Sequence, residues 1–122
     1  MIEDLEPKNL FQLEDELYAT ERKSYTAGIK WADAKATFAH LERIKHKVRA
    51  MAMPSEGSQA AKEAEAEKSA LYNTHLEGMY AAQKEFLKAE VEYETLKTRI
   101  DSLRTIISNR KAMLLRGIED VK

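Results

Sequence analysis

The chain has 122 residues, a formal net charge of −1 and no cysteine. This length allows one domain at most, the charge argues against a general binder of polyanions, and the lack of cysteine excludes disulfides, thiolate metal sites and thiol nucleophiles. Charged residues make up 34% of the chain, which holds only 4 glycines and 2 prolines, a composition typical of long helices and coiled coils.

The N-terminal residues are acidic and lack the basic start and apolar run of a signal peptide. No apolar run approaches the roughly 20 residues that span a bilayer. We therefore expect a cytoplasmic protein with no membrane contact.

The first predicted element is a helix over about residues 7–53. Two starts fit the sequence. Pro7 suits the first helical turn, where its missing N–H has no partner to lose, and Asn9 with Gln12 has capping-box spacing. Pro54 favours a helix end just before it.

A loop over residues 54–58 follows, and it leads into a second helix over about residues 59–116. Ser58 is the expected N-cap, because a serine hydroxyl accepts from an unpaired backbone N–H of the first turn. Gly117 is the expected left-handed residue just past the helix end.

Each predicted helix carries a stripe of residues at alternating three- and four-residue spacing, the coiled-coil period. The first stripe consists of Leu10, Leu13, Leu17, Thr20, Ser24, Ala27, Trp31, Ala34, Phe38 and Leu41. The second consists of Tyr72, His75, Met79, Ala82, Phe86, Ala89, Tyr93, Leu96, Ile100 and Leu103.

The two stripes complement each other when they run in opposite directions. If the numbers of facing residues sum to 113, large residues meet small ones, as in Trp31 opposite Ala82 and Phe86 opposite Ala27. The sequence therefore predicts an all-α fold, a long antiparallel two-helix hairpin (a coiled coil) in a single domain over residues 1–122. Acidic residues near the N-terminus and basic residues of the second helix favour the same pairing.

Further apolar residues lie outside these stripes, and an uncovered apolar face usually marks association. The second helix also outruns the first, which leaves its end without a partner. We expect the oligomer or partner interface to include Tyr18, Tyr25, Ile29, Ala32, Ala36, Tyr80, Leu87, Ile106, Ile107 and Leu114. Self-association into a helical bundle is the first explanation, and a protein partner of unknown identity is the alternative.

Two glycines, Gly28 and Gly78, lie inside the predicted helices, where each costs about 1 kcal/mol relative to alanine. Either they mark points where the helix is locally flexible, or another helix approaches closely there.

Signatures of catalysis or cofactor binding are absent from the sequence. His75 falls in the seam and is expected to be a packed histidine with a local hydrogen bond. No His-Glu-x-x-His motif, di-iron Glu-x-x-His pair, phosphate-binding glycine loop or nucleophile elbow occurs. We therefore expect no enzyme activity, no metal and no cofactor.

Basic residues near the end of the second helix provide an alternative function. Arg104, Arg110 and Lys111 could contact phosphates, which would make the chain a nucleic-acid-binding protein. The basic run over residues 43–49 is more simply explained by pairing with glutamates across the hairpin.

The stretch from Ser69 to Met79, followed by Leu96, Arg99 and Arg104–Thr105, resembles small helical proteins of tailed phages and prophages. Those proteins are early-region products encoded near recombination and replication genes, and their role is unassigned. The resemblance implies a phage or prophage origin, a location in the host cytoplasm and an accessory role in DNA metabolism.

The leading hypothesis is a non-enzymatic, self-associating helical adaptor that binds another protein and assists phage DNA recombination or replication. Direct nucleic-acid binding is the alternative, and enzyme activity is the least favoured class.

Overall fold

The computed structural model describes residues 8–121, with side chains described for residues 8–117. Within this range the chain forms four α-helices and no strand: α1 (Leu10–Arg43), α2 (Lys45–Met51), α3 (Gln59–Lys68) and α4 (Ala70–Val121). The predicted all-α helical hairpin is confirmed, with α1 and α2 forming the first arm and α3 and α4 the second.

The helix starts follow the sequence signals. Asn9 and Gln12 form the reciprocal capping box: the Asn9 N–H donates to Gln12 Oε1 at 3.0 Å, and the Gln12 N–H donates to Asn9 Oδ1 at 2.8 Å. Ser58 caps α3, since its Oγ accepts from the Ala61 N–H at 3.1 Å. Of the two predicted starts, the Asn9 start is the one observed, while Pro7 lies outside the described residues.

Each arm contains one interruption that the sequence analysis did not predict. Ile44 separates α1 from α2, yet its N–H still donates to His40 O at 3.1 Å, so the backbone hydrogen bonding continues. Ser69 is a true break: its backbone is extended, and its Oγ accepts from the Tyr72 N–H at 3.1 Å as the cap of α4.

The predicted helix end at Arg116 is wrong. α4 continues through Gly117 to Val121. Gly57, in the loop between the arms, is the one glycine of the described chain with positive φ, at 113°. Gly117 therefore acts as an ordinary helical residue instead of a left-handed C′ residue.

Both predicted heptad stripes are covered along their whole length. Every residue from Leu10 to Leu41 in the first stripe, and from Tyr72 to Leu103 in the second, is buried or half-buried. The heptad pattern therefore identified the packed face of each arm correctly.

The structure divides into two compact units. Unit 1 comprises residues 8–29 and 91–121 of the described chain. Its core is a cluster of Leu13, Leu103 and Ile107, of which Leu13 and Leu103 are fully buried. Leu10, Leu17 and Ile106 pack around this cluster as partly buried residues.

Unit 2 comprises residues 30–90. Phe38 and Phe86 pack in it with their ring centroids 6.2 Å apart. Ala66 is fully buried, and Tyr72 is buried close to the Ser69 break. His75 Nε2 lies 2.8 Å from the carbonyl oxygen of Leu41, which ties α4 to the end of α1.

The predicted register is wrong by about one heptad. A pair sum of 113 places these residues opposite each other: Leu13 and Ile100, Thr20 and Tyr93, Ala27 and Phe86. The structure instead brings together Leu13 and Ile107, Gly28 and Tyr93, Phe38 and Phe86. These pairs sum to 120, 121 and 124, and the contacts of Leu13 with Leu103 and of Leu41 with His75 sum to 116. All five sums lie above 113 and are centred near 120.

The heptad itself explains this error. A slip of seven residues returns every seam position to the seam, so the spacing fits both registers equally. Size complementarity also survives the slip, because alanines recur at the same interval and Trp31 then faces Ala89 in place of Ala82. Ala89 is accordingly among the most buried residues, at 2% exposed.

The two helical glycines differ in their surroundings. A Cβ added at Gly28 would lie 3.2 Å from Cε1 of the Tyr93 ring, whereas one added at Gly78 would meet nothing within 4 Å. Close approach therefore explains Gly28, and Gly78 is open to solvent.

This difference predicts opposite outcomes for matched substitutions. Gly78→Ala should raise the free energy of unfolding by up to about 1 kcal/mol, the helix-propensity gain of alanine over glycine. Gly28→Ala should gain clearly less, or lose stability, because the Tyr93 ring has to move. Urea unfolding of both variants checks this, and equal stabilisation would contradict the close approach at Gly28.

Candidate interaction surface

The outer side of α1 carries a row of exposed aromatic residues. Phe11, Tyr18 and Tyr25 are 76%, 64% and 73% exposed and follow each other at intervals of seven residues. Seven residues are close to two helical turns, so the three rings lie on one side of α1, away from the seam. Ile29, also exposed, continues this surface.

The part of α1 that belongs to unit 2 carries small exposed residues, namely Ala32, Ala36 and Ala39. The row over Phe11, Tyr18 and Tyr25, which lies within unit 1, is called the α1 outer stripe below.

On α4, Tyr80 and Leu87 are exposed as predicted and lie seven residues apart in unit 2. Val91 is exposed in unit 1. Both helices therefore keep apolar side chains in water outside the seam, and patches of this kind are characteristic of association sites.

The predicted overhang of the second helix starts later than expected. Ile107 is only 7% exposed because it packs in the core cluster with Leu13, and Ile106 is half-buried beside it. These two residues are therefore not available to a partner as the sequence suggested. Leu114 remains exposed, as do Met113 and Leu115. Ile2 and Leu5, the apolar residues of the N-terminal segment that could cover this end, lie outside the described residues.

A groove in unit 2 was missed by the sequence analysis. It has a volume of about 420 Å³ and is lined by Lys35, Phe38, Ala39, Glu42, Arg43, His46 and Phe86. Its lining combines the aromatic pair Phe38 and Phe86 with basic and acidic side chains. The correct register would have revealed it, because only that register places Phe86 beside Phe38.

Ion pairs neutralise two of the three residues proposed as phosphate contacts. Arg104 Nη2 lies 3.4 Å from Glu21 Oε1, and Lys111 Nζ lies 3.3 Å from Glu14 Oε1. Arg110, the third, is half-buried. The end of α4 is therefore not a surplus of positive charge, which disfavours it as a phosphate-binding surface.

The basic run in residues 43–49 also pairs across the hairpin. Arg49 Nη2 lies 2.8 Å from Glu67 Oε1 and 3.9 Å from Glu63 Oε2, as predicted. His75 has the local hydrogen bond expected of a packed seam histidine. Within residues 8–121, no group of three or more histidines and carboxylates is arranged to hold a metal ion.

The best-formed ion pair of unit 1 joins the two arms. Arg99 Nη2 donates to Glu16 Oε1 at 2.7 Å, and Arg99 Nε donates to the same oxygen at 3.3 Å. This hydrogen bonding lowers the pKa of Glu16 below its ordinary value, against the opposing effect of burial, and nearby Lys8 and Lys23 add to the lowering.

Comparisons with known proteins identify no relative. No protein-family model matches the chain, and neither the curated proteins nor the solved structures contain a match. None of the helices in the described part of the chain combines the length and apolar character needed to cross a membrane. The functional argument therefore rests on the surfaces described above.

The Glu16–Arg99 pair predicts a specific dependence of stability on pH. Because the folded-state pKa of Glu16 is lowered, its contribution is fully present above the ordinary pKa of 4.5 and is lost as the pH falls through the lowered value. At neutral pH the free energy of unfolding of wild type should therefore exceed that of Glu16→Gln. The difference should be about 1 kcal/mol or less, because the pair is partly exposed to solvent, and it should vanish in acid.

Thermal unfolding over a series of pH values measures this advantage. In an Arg99→Leu background the same Glu16→Gln substitution should lose most of its pH dependence. An unchanged pH profile in that background would show that Arg99 is not the cause.

Proposed function

We propose that this protein is a non-enzymatic helical adaptor that self-associates through its exposed apolar surface and binds another protein. The observation that carries the proposal is the α1 outer stripe, in which three aromatic rings lie exposed at regular intervals. Burying one such side chain is favourable by about 1.5–3 kcal/mol, so several on one surface favour association at micromolar concentration or below.

The chemistry of the described residues supports an interaction role over catalysis. The hairpin seam is filled by packed side chains, and the strongest charged groups of unit 1 are engaged in pairs between the arms. Outside the seam the chain keeps large apolar side chains exposed. A surface of this composition suits a helical partner more than a phosphate backbone.

The biological setting of the proposal comes from the resemblance of Ser69–Met79 to small phage and prophage proteins. We propose that the adaptor assists recombination or replication of phage DNA through a protein partner. Direct contact with nucleic acid is not part of this proposal, since Arg104 and Lys111 already pair with carboxylates.

Two exposed apolar residues test the self-association. Wild type should be a dimer or larger assembly by light scattering, and the double variant Ile29→Glu, Leu87→Glu should dissociate to a monomer that stays helical by circular dichroism. Each charge would otherwise be buried without a partner, which is strongly unfavourable.

Met51→Glu is the matched control. Met51 is more exposed than these residues and lies in α2 near the loop, and its substitution should leave the assembly intact. A wild-type chain that stays monomeric well above micromolar concentration would overturn the proposed self-association.

A further inference from the structure

The groove of unit 2 joins an aromatic surface to charged side chains, and all the residues that line it belong to that one unit. Phe38 and Phe86 are half-buried and their ring centroids are 6.2 Å apart, so part of each ring remains accessible. A third aromatic ring packs favourably against such a pair, and a volume of about 420 Å³ accommodates it.

Three basic side chains line the groove, and none of them forms an ion pair within residues 8–117: Lys35, Arg43 and His46. Arg49 of the same unit, by contrast, lies 2.8 Å from a glutamate oxygen. The Lys35 ammonium lies 5.1 Å from the centroid of the Trp31 ring, a contact that leaves its N–H groups available to an anion. The groove therefore offers positive charge to an incoming carboxylate beside its aromatic surface.

Glu42 narrows the kind of ligand that fits. Its carboxylate also lines the groove and forms no ion pair among the described residues. A nucleic acid carries negative charge along its whole backbone and would be repelled at this point. A polypeptide can place a carboxylate at the basic side chains alone and an aromatic ring on the two phenylalanines. Aromatic side chains are also the usual anchors of protein interfaces.

We propose that the groove of unit 2 binds a segment of a partner protein in which an aromatic residue is flanked by acidic residues. The aromatic ring packs on Phe38 and Phe86, and the carboxylates face Lys35 and Arg43. This inference rests on the proposed binding of another protein and names the chemistry that the partner presents. It is independent of self-association through the α1 outer stripe.

A short peptide is the direct probe. Titration of the isotope-labelled full chain with acetyl-Asp-Glu-Phe-Glu-Asp-amide should shift the backbone NMR signals of residues 35–46 and of Phe86 most, with a Kd of about 1 mM or below. A peptide with alanine in place of phenylalanine, or with lysines in place of the acidic residues, should bind at least about tenfold more weakly. A short oligothymidylate should leave these signals unchanged.

Opposite charges in the groove should have opposite effects on peptide binding. Lys35→Gln and Arg43→Gln should each weaken it by about threefold or more, and Glu42→Gln should strengthen it by about twofold to threefold. Lys84→Gln, at an exposed position of unit 2 outside the groove, is the matched control and should leave Kd unchanged. A general loosening of unit 2 would weaken binding in every variant, so the gain expected from Glu42→Gln distinguishes the two causes.

The space in the groove is tested by filling it. Ala39→Trp places a ring in the groove and should weaken peptide binding by about tenfold or more. Ala36→Trp adds the same ring at an exposed position outside the groove and should have no effect. Circular dichroism verifies that each variant is folded.

Several results would overturn this inference. They are the absence of a shift in the groove at several millimolar peptide, equal binding of the alanine peptide, and weaker binding after Glu42→Gln. Stronger binding of the oligothymidylate than of the peptide would assign the groove to nucleic acid instead. None of these results bears on self-association, which light scattering measures separately. A wild-type monomer that binds the peptide in the groove would overturn the self-association and leave this inference standing.

Discussion

The arms of this protein are held together by one seam of packed side chains. Leu13 and Leu103 are fully buried at one end of it, and the small residues Ala27 and Ala89 are buried further along. A two-helix hairpin has only this one seam, so its interior is thin and every seam residue contributes to it. Ion pairs such as Glu16–Arg99 contribute little to the free energy of unfolding, and their main effect is to favour one alignment of the two arms.

Because the hairpin has a single seam, other apolar residues remain exposed outside it. Each helix of a hairpin covers only the side that faces its partner, so Phe11, Tyr18 and Tyr25 stay exposed among the described residues. A third and fourth helix are the usual solution for such a surface, and in the proposed self-association a second copy would supply them. The regular seven-residue spacing of the α1 outer stripe supports this proposal.

Features that depend on local chemistry could be predicted from the sequence, because one or two residues determine them. The Asn9–Gln12 capping box, the Ser58 cap and the covered face of each helix are of this kind. The register could not be predicted, because a heptad slip preserves both spacing and size pairing. Two errors followed directly: Ile107 was expected in the overhang, and the groove beside Phe38 was missed. The break at Ser69 depends on a hydroxyl cap that competes with an otherwise strong helical pattern.

The register is tested most directly with the single tryptophan of the chain. Since the chain has no cysteine, Ala89→Cys and Ala82→Cys each place one thiol in the seam, and a thiol quenches indole fluorescence only at close contact. The structure predicts that Ala89→Cys shortens the fluorescence lifetime of Trp31 strongly and that Ala82→Cys shortens it little. The reverse order would restore the pair sum of 113 and contradict the seam described here.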